Sequence, residues 1–519
     1  MAIVLLWGTQ ALWGTEALGG TEALWGTEAM AQMSSPDLQF LPSQDAPMLS
    51  KAPMLSKVPM TPAPADQCTA ETTLAADTIA EIETYLDAYD QTGRLSGNVM
   101  VVHGNAALTC SYGLANREHG VVNTPETKFR IGSITKQFTA VAILQLHEQG
   151  LLDIQAPISS YLPDYPEGDR ITSHHLLTHT SGILEYLDGE VFADINQWLR
   201  LPSTLDQLVD RFKDLPLEFD PGEQFKYSNS GYIVLTQILE TVSGQSYADY
   251  IQTNILTPLG MNNTGYEIPS AVIPNLAQGY TLASPDLYIQ TDPIDMSLPQ
   301  GAGGLYSTLG DLAIWNQWLY GSELEQPILS KASIDLLTKA AVKMAAPEGQ
   351  PDAFYGYGVI NDSHLDQQRF HHSGGINGFR SSLMYYPEEN LTIGLLLNLT
   401  NQAPGAIAEG LAAILLDEPY TMPQQHEAID LEPTLYEKYV GTYQLLPERQ
   451  IELRVENNQL VISHATEQES VMLYPTSETE FFTQVVDIFI KFVLSEDGTV
   501  EGFTLFDHGY ELFAPKLDE

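Results

Sequence analysis

Residues 132–150 read GSITKQFTAVAILQLHEQG, and the reading of this stretch decides the fold. After Ser133-Ile134-Thr135-Lys136, the stretch QFTAVAILQLHEQG runs to Gly150 with little polar interruption, a pattern that predicts a buried helix. Ser133 and Lys136 stand three apart, so on a helix they share one face, about one turn from each other. Free N–H groups and the dipole at a helix start favour negative charge, which suits alkoxide formation and a developing oxyanion. A neighbouring lysine whose pKa is lowered by partial burial can take the hydroxyl proton. Taken alone, the pattern equally fits an N-capping serine and a surface lysine. No other serine in the chain has lysine at i+3.

Two further clusters lie downstream. Tyr227-Ser228-Asn229 follows Pro221-Gly222 and is expected in a loop before a helix over residues 232–242. A phenol beside an ammonium group can ionise or relay a proton, and a carboxamide can bind a substrate amide. His372-Ser373-Gly374-Gly375 leads through Asn377-Gly378-Phe379 into an expected strand over residues 381–386. Its glycines allow close backbone approach to a ligand, and an edge strand can offer an N–H to an oxyanion; read alone, the tetrapeptide also fits a tight turn.

In this order, S-x-x-K, Y-x-N and H-S-G resemble the motifs of the serine β-lactamase and penicillin-binding-protein superfamily. The resemblance is strongest to the branch holding class C β-lactamases, D-aminopeptidases and related esterases. The flanks agree: FRIG at 129–132, ITSHHLLTHTSG at 171–182, PLGM at 258–261 and GGLYSTLGDL at 303–312. The resemblance implies a β-lactamase/transpeptidase-like α/β (α+β) fold with a helical lobe. It casts Ser133 as nucleophile, Lys136 as its activating partner, Tyr227 as proton shuttle and Asn229 as the holder of the substrate amide. The N–H groups of Ser133 and Gly375 would form the oxyanion hole. Lys136 and Tyr227 would titrate as a coupled pair, so which takes the first proton stays open. The implied activity is acyl transfer to water from a small ester, amide or peptide, without cofactor or metal.

One departure matters. Where β-lactamases and most penicillin-binding proteins carry lysine, this chain has His372, which ordinarily is only partly charged near neutral pH. That favours an esterase or aminopeptidase-like amidase over a D,D-peptidase or β-lactamase, whose substrates carry a carboxylate. An inactive binding protein on the same fold is the alternative of another class; the intact Ser133, Lys136, Tyr227 and Asn229 argue against it.

Outside these motifs the chain divides by texture. Residues 1–76 are read as disordered low-complexity sequence: LWGTQA, LWGTEA, LGGTEA and LWGTEA follow one another from Leu6, and APMLSK occurs twice from Ala46. Residues 77–417 are the expected hydrolase domain, opening with a helix over 78–89 and a hairpin over 98–113 that turns at Gly104-Asn105. A strand is expected over 391–397. Residues 418–433 read as a linker, and 434–519 as a small β-barrel domain with turns at Asn457-Asn458, Asp497-Gly498 and His508-Gly509.

With 67 acidic and 22 basic residues the formal charge is −45, which disfavours nucleic acid and anionic membrane as partners. No apolar run is long enough for a membrane span. The N-terminus lacks a convincing signal peptide, so a periplasmic or extracellular location follows from the resemblance alone. Cys68 and Cys110 fit either one disulfide or two free thiols. His175 and His179 have metal-ligand spacing but no evident third ligand; His371, Trp315 and Trp318 read as structural.

Overall fold

The computed structural model describes residues 67–72, 74–188, 192, 194–284, 287–321, 327–344, 351–446, 449–464, 470–484, 488–507 and 510–517. The hexapeptide repeats, the APMLSK units and the His508-Gly509 turn lie outside these residues.

The framework is a nine-stranded sheet. Its strands run in the order Cys68–Thr72, Ala106–Tyr112, Gly97–His103, Leu391–Leu397, Phe379–Tyr386, Gln367–Ile376, Ile360–His364, Phe354–Tyr355 and Val342–Lys343. All pairings are antiparallel. Strands from the two ends of this region thus meet at the centre, Gly97–His103 against Leu391–Leu397, and the intervening helices form a separate lobe. This is the β-lactamase/transpeptidase-like arrangement.

Leu391–Leu397 is buried along its whole length because both faces are covered. On one face Ile393, Leu395 and Leu397 join Tyr85 and Leu86 of the Ala76–Gln91 helix and Ile407 and Leu411 of the Pro404–Leu415 helix. On the other, Leu396 joins Leu309 and Leu312 from the helical lobe. A strand buried on both faces needs a continuous apolar run, which is what residues 391–397 provide.

The helix after Ser133 is Thr135–Glu148, and every residue from Thr135 to Leu146 is buried. Trp315 is packing, as expected: its ring stacks on Phe138 at 3.9 Å and its indole N–H donates to Gln137 Oε1 at 2.7 Å. Two expectations need correction. Ser133 lies not in the α-helix but in a 3₁₀ turn, Gly132–Ile134, that leads into it. Since i and i+3 eclipse in a 3₁₀ turn, the serine still faces Lys136. The second helix begins at Asn229, not at residue 232, because the Ser228 hydroxyl accepts from Gly231 N–H and caps it there; it ends at Gly244, whose φ of 69° is left-handed.

Cys68 and Cys110 are disulfide-bonded, directly opposite each other in the sheet register. Near the C-terminus eight consecutive strands, from Gly441–Leu446 to Tyr510–Pro515, form a nearly closed barrel, with Tyr443 pairing back to Lys516. Tyr280, Leu282 and Leu399 share its apolar core with Tyr443, Phe481 and Phe503, so the barrel is docked on the larger domain. Among the described residues no helix is long and apolar enough to cross a membrane.

Candidate active site

The turn carrying Ser133 is pressed against the Gln367–Ile376 strand. Gly132 has a φ of 51°, and a Cβ on it would lie 2.8 Å from Gly375 N, so glycine alone allows this approach. Ile131 anchors the turn from both sides: its N–H donates to Leu305 O at 3.0 Å, and its carbonyl accepts from Ser381 Oγ at 2.8 Å.

Lys136 is fully buried. Its Nζ reaches Ser133 Oγ at 3.1 Å, Asn229 Oδ1 at 2.7 Å and the Ala302 carbonyl at 2.8 Å. Those three acceptors match the three donors of an ammonium group, and the same nitrogen sits 4.8 Å from the centre of the Tyr227 ring. Burial nevertheless lowers the Lys136 pKa to about 7, with Glu185 pulling the other way. An amine so poised exchanges a proton with its neighbour near neutral pH.

The Tyr227 hydroxyl is enclosed, beside the Ser133 side chain. Burial holds its pKa well above the ordinary phenol value, with Ser133 moderating the shift. The ring is held in an aromatic stack, 4.2 Å from His179, which in turn meets Tyr355 edge-on at 4.6 Å. His179 Nδ1 accepts the Ser228 N–H at 3.0 Å, fixing the backbone between Tyr227 and Asn229.

His372 is buried on the same side of the site, its ring 6.3 Å from that of Tyr227. Its neighbour His371 is structural as expected, facing Asp362 Oδ2 at 3.1 Å. The residues expected to act in catalysis, together with Asn229 and His372, therefore surround one point.

Gly375 completes the set through its backbone. Ile376 and Phe379 flank the two-residue turn Asn377-Gly378 and so form a hydrogen-bonded pair; alternation makes Gly375–Arg380 a non-hydrogen-bonded one. The strand on the other side, Ile360–His364, pairs only as far as His371. The Gly375 N–H is thus left off the ladder, beside the start of the 3₁₀ turn, where the Ser133 N–H has no intrahelical acceptor. Two such donors can hold an oxyanion.

Several neighbours escaped the sequence reading. Glu185 accepts hydrogen bonds from Asn229 N at 2.5 Å and Asn229 Nδ2 at 3.3 Å. Arg380 lies across Gly375, with Nη1 3.1 Å from where a Cβ would stand, and it has no carboxylate partner among the described residues. Glu185, Tyr355 and Arg380 carry no motif; only their placement reveals them. His175 and His179 serve different hydrogen bonds, the former in a capping box with Thr172. No group of three His, Cys, Asp or Glu residues suited to a metal ion occurs among the described residues.

Comparison with known proteins identifies the family and the fold. A family model described as Beta-lactamase matches residues 78–417, and a domain of unknown function, DUF3471, matches residues 425–517. Penicillin-binding protein 4* of Bacillus subtilis (strain 168) is 29% identical over 453 residues, covering 83% of this chain and 97% of that protein. The octameric penicillin-binding protein homologue from Pyrococcus abyssi superposes with a TM-score of 0.58 at 26% identity, covering 84% of this chain and 99% of that one. D-amino acid amidase from Ochrobactrum anthropi SV3 shares the fold, with a TM-score of 0.57 at 21% identity over 66% of this chain and 99% of that one.

Proposed function

The chain belongs to the beta-lactamase family, and from that premise we propose that it is a serine hydrolase working through an acyl-enzyme on Ser133. The observation that carries the reading is the 3.1 Å contact between Lys136 Nζ and Ser133 Oγ, made by a lysine whose pKa burial brings to about 7. Lys136 in its neutral form takes the hydroxyl proton while Oγ attacks the substrate carbonyl carbon. Lys136 suits this first step better than Tyr227, since burial keeps the phenol protonated. The N–H groups of Ser133 and Gly375 hold the resulting oxyanion. As the carbonyl's bond to its oxygen or nitrogen leaving group breaks, Tyr227 passes a proton to that group, and the proton on Lys136 replaces it. Water then repeats the sequence in reverse roles, cleaving the Ser133 ester to release the acid.

Short neutral esters and amides are the substrates we favour, because His372 supplies no charge for a carboxylate. A second reading, penicillin-interactive or D,D-peptidase chemistry, is favoured by two observations: the likeness to Penicillin-binding protein 4* over 97% of its length, and Arg380 beside Gly375, which among the described residues has no carboxylate partner. Parallel labelling with a fluorescent fluorophosphonate and a fluorescent penicillin separates the two. Fluorophosphonate labelling with slow penicillin labelling supports the first, and rapid penicillin labelling the second. Failure of both probes to react at Ser133 would refute the acyl-enzyme itself.

A further inference from the structure

We infer that Glu185 is a positioning residue, whose carboxylate turns the Asn229 amide so that its oxygen, and not its nitrogen, faces Lys136. The inference rests on the Ser133 reading above and deepens it.

An ionised carboxylate only accepts hydrogen bonds, and an amide presents one accepting and one donating end. Asn229 offers Glu185 two donors at once: its backbone N–H to Oε2 at 2.5 Å and its side-chain Nδ2 to Oε1 at 3.3 Å. With Nδ2 committed to Glu185, Oδ1 is left for Lys136 Nζ, at 2.7 Å. Turned the other way, the amide would set NH₂ against NH₃⁺ on one side and oxygen against carboxylate on the other. Glu185 also accepts from Leu187 N–H at 3.1 Å, which ties the loop to the same fork. Nothing in a Y-x-N motif fixes which way its carboxamide faces; this contact does.

Glu185 has a second effect, through charge. The groups around Lys136 come from several elements: Tyr227 and Tyr232, whose rings lie 4.8 and 5.4 Å from Nζ, and His179 and His372. Burial holds both phenols up and both imidazoles down, so all four are neutral near pH 7. Glu185 is the anion among them. Burial raises its pKa, while the N–H groups of Asn229 and Leu187 draw it back. Its charge raises the proton affinity of Lys136 against the burial that lowers it.

Glu185→Gln keeps the shape, removes the charge and sets an amide NH₂ against one of the two Asn229 donors. In the full-length protein, two measurements read the consequences: the pH profile of kcat/KM for a p-nitrophenyl ester, and the ¹³Cε titration of Lys136 by NMR after lysine-selective labelling. We expect the acidic limb of the profile and the Lys136 midpoint both to fall by about one pH unit, and the plateau to fall about tenfold, the scale of one lost hydrogen bond to a charged group. Glu185→Asp keeps the charge but withdraws the reach, so its plateau should drop with the limb in place; it also serves if the glutamine variant does not fold. An unmoved limb and midpoint in Glu185→Gln, or a wild-type plateau in Glu185→Asp, overturns the inference. The NMR midpoint reads it without turnover, so activity independent of Ser133 would refute the acyl-enzyme reading separately.

Discussion

The Tyr355 hydroxyl faces His372 Nε2 at 3.0 Å while His372 Nδ1 faces the Ser373 carbonyl at 2.6 Å. A carbonyl can only accept, so Nδ1 carries the proton and Nε2 receives the one from Tyr355. Burial, reinforced by nearby Lys136, lowers the His372 pKa to about 3. The residue standing where the β-lactamase motif has lysine is therefore a neutral, hydrogen-bonded imidazole and not a partly charged one.

From this follows a pH test that reverses the simple expectation for a histidine. Between pH 6 and pH 8 the ratio of penicillin to neutral-ester acylation should not move through His372, and His372→Gln should leave that flat profile unchanged. His372→Lys, in contrast, should raise the ratio by about tenfold or more, the worth of a charged hydrogen bond to a carboxylate. Second-order rate constants measured in one buffer decide the matter. A ratio that climbs toward pH 6 in wild type but not in His372→Gln would mean that the imidazole does take up a proton.

Lys136 and Tyr227 set the acidic limb and the size of the rate. The neutral amine is the proton acceptor, so kcat/KM should rise as Lys136 deprotonates, reaching half its plateau near the Lys136 pKa of about 7 and levelling off roughly one pH unit above it. Lys136→Ala and Tyr227→Phe should each cost at least about 10²-fold, the usual scale of lost proton transfer. Stopped-flow hydrolysis of a p-nitrophenyl ester measures both. Losses under tenfold in a folded variant would remove that residue from the proton path.

Much of this site was legible before any coordinates. The unique Ser133/Lys136 spacing, Tyr227 with Asn229, and His372 with Gly375 are encoded in local pattern, and the continuous apolar run at 391–397 marks a strand covered on both faces. What was not legible depends on distant contacts. The charge state of His372 follows from Tyr355 and from burial, neither of which appears in the tetrapeptide around it. Glu185 and Arg380 sit in unremarkable sequence and gain meaning only from Asn229 and Gly375 across the fold. The start of the helix at Asn229 is not legible in the sequence, because Ser228 is marked as its cap only by the Gly231 N–H it accepts.

The disulfide supplies a stability test. Cys68 and Cys110 are 42 residues apart, and a cross-link of that span restricts the unfolded chain enough to add about 2–4 kcal/mol. Cys68→Ser/Cys110→Ser should lower the urea midpoint accordingly while leaving ester turnover at 25 °C near wild type, since the bridge lies on the outer strand of the sheet, away from Ser133. An unchanged midpoint would show that the edge strand holds by its ladder alone.

The most direct measurement is to trap the acyl-enzyme. Full-length protein quenched in acid during turnover of an activated ester should gain the mass of one acyl group, and peptide mapping should find it on Ser133, the residue 3.1 Å from Lys136 Nζ. Ser133→Ala, folded and of unchanged melting temperature, should show neither the adduct nor turnover. An acyl group found on another residue, or turnover by Ser133→Ala within tenfold of wild type, would contradict the account.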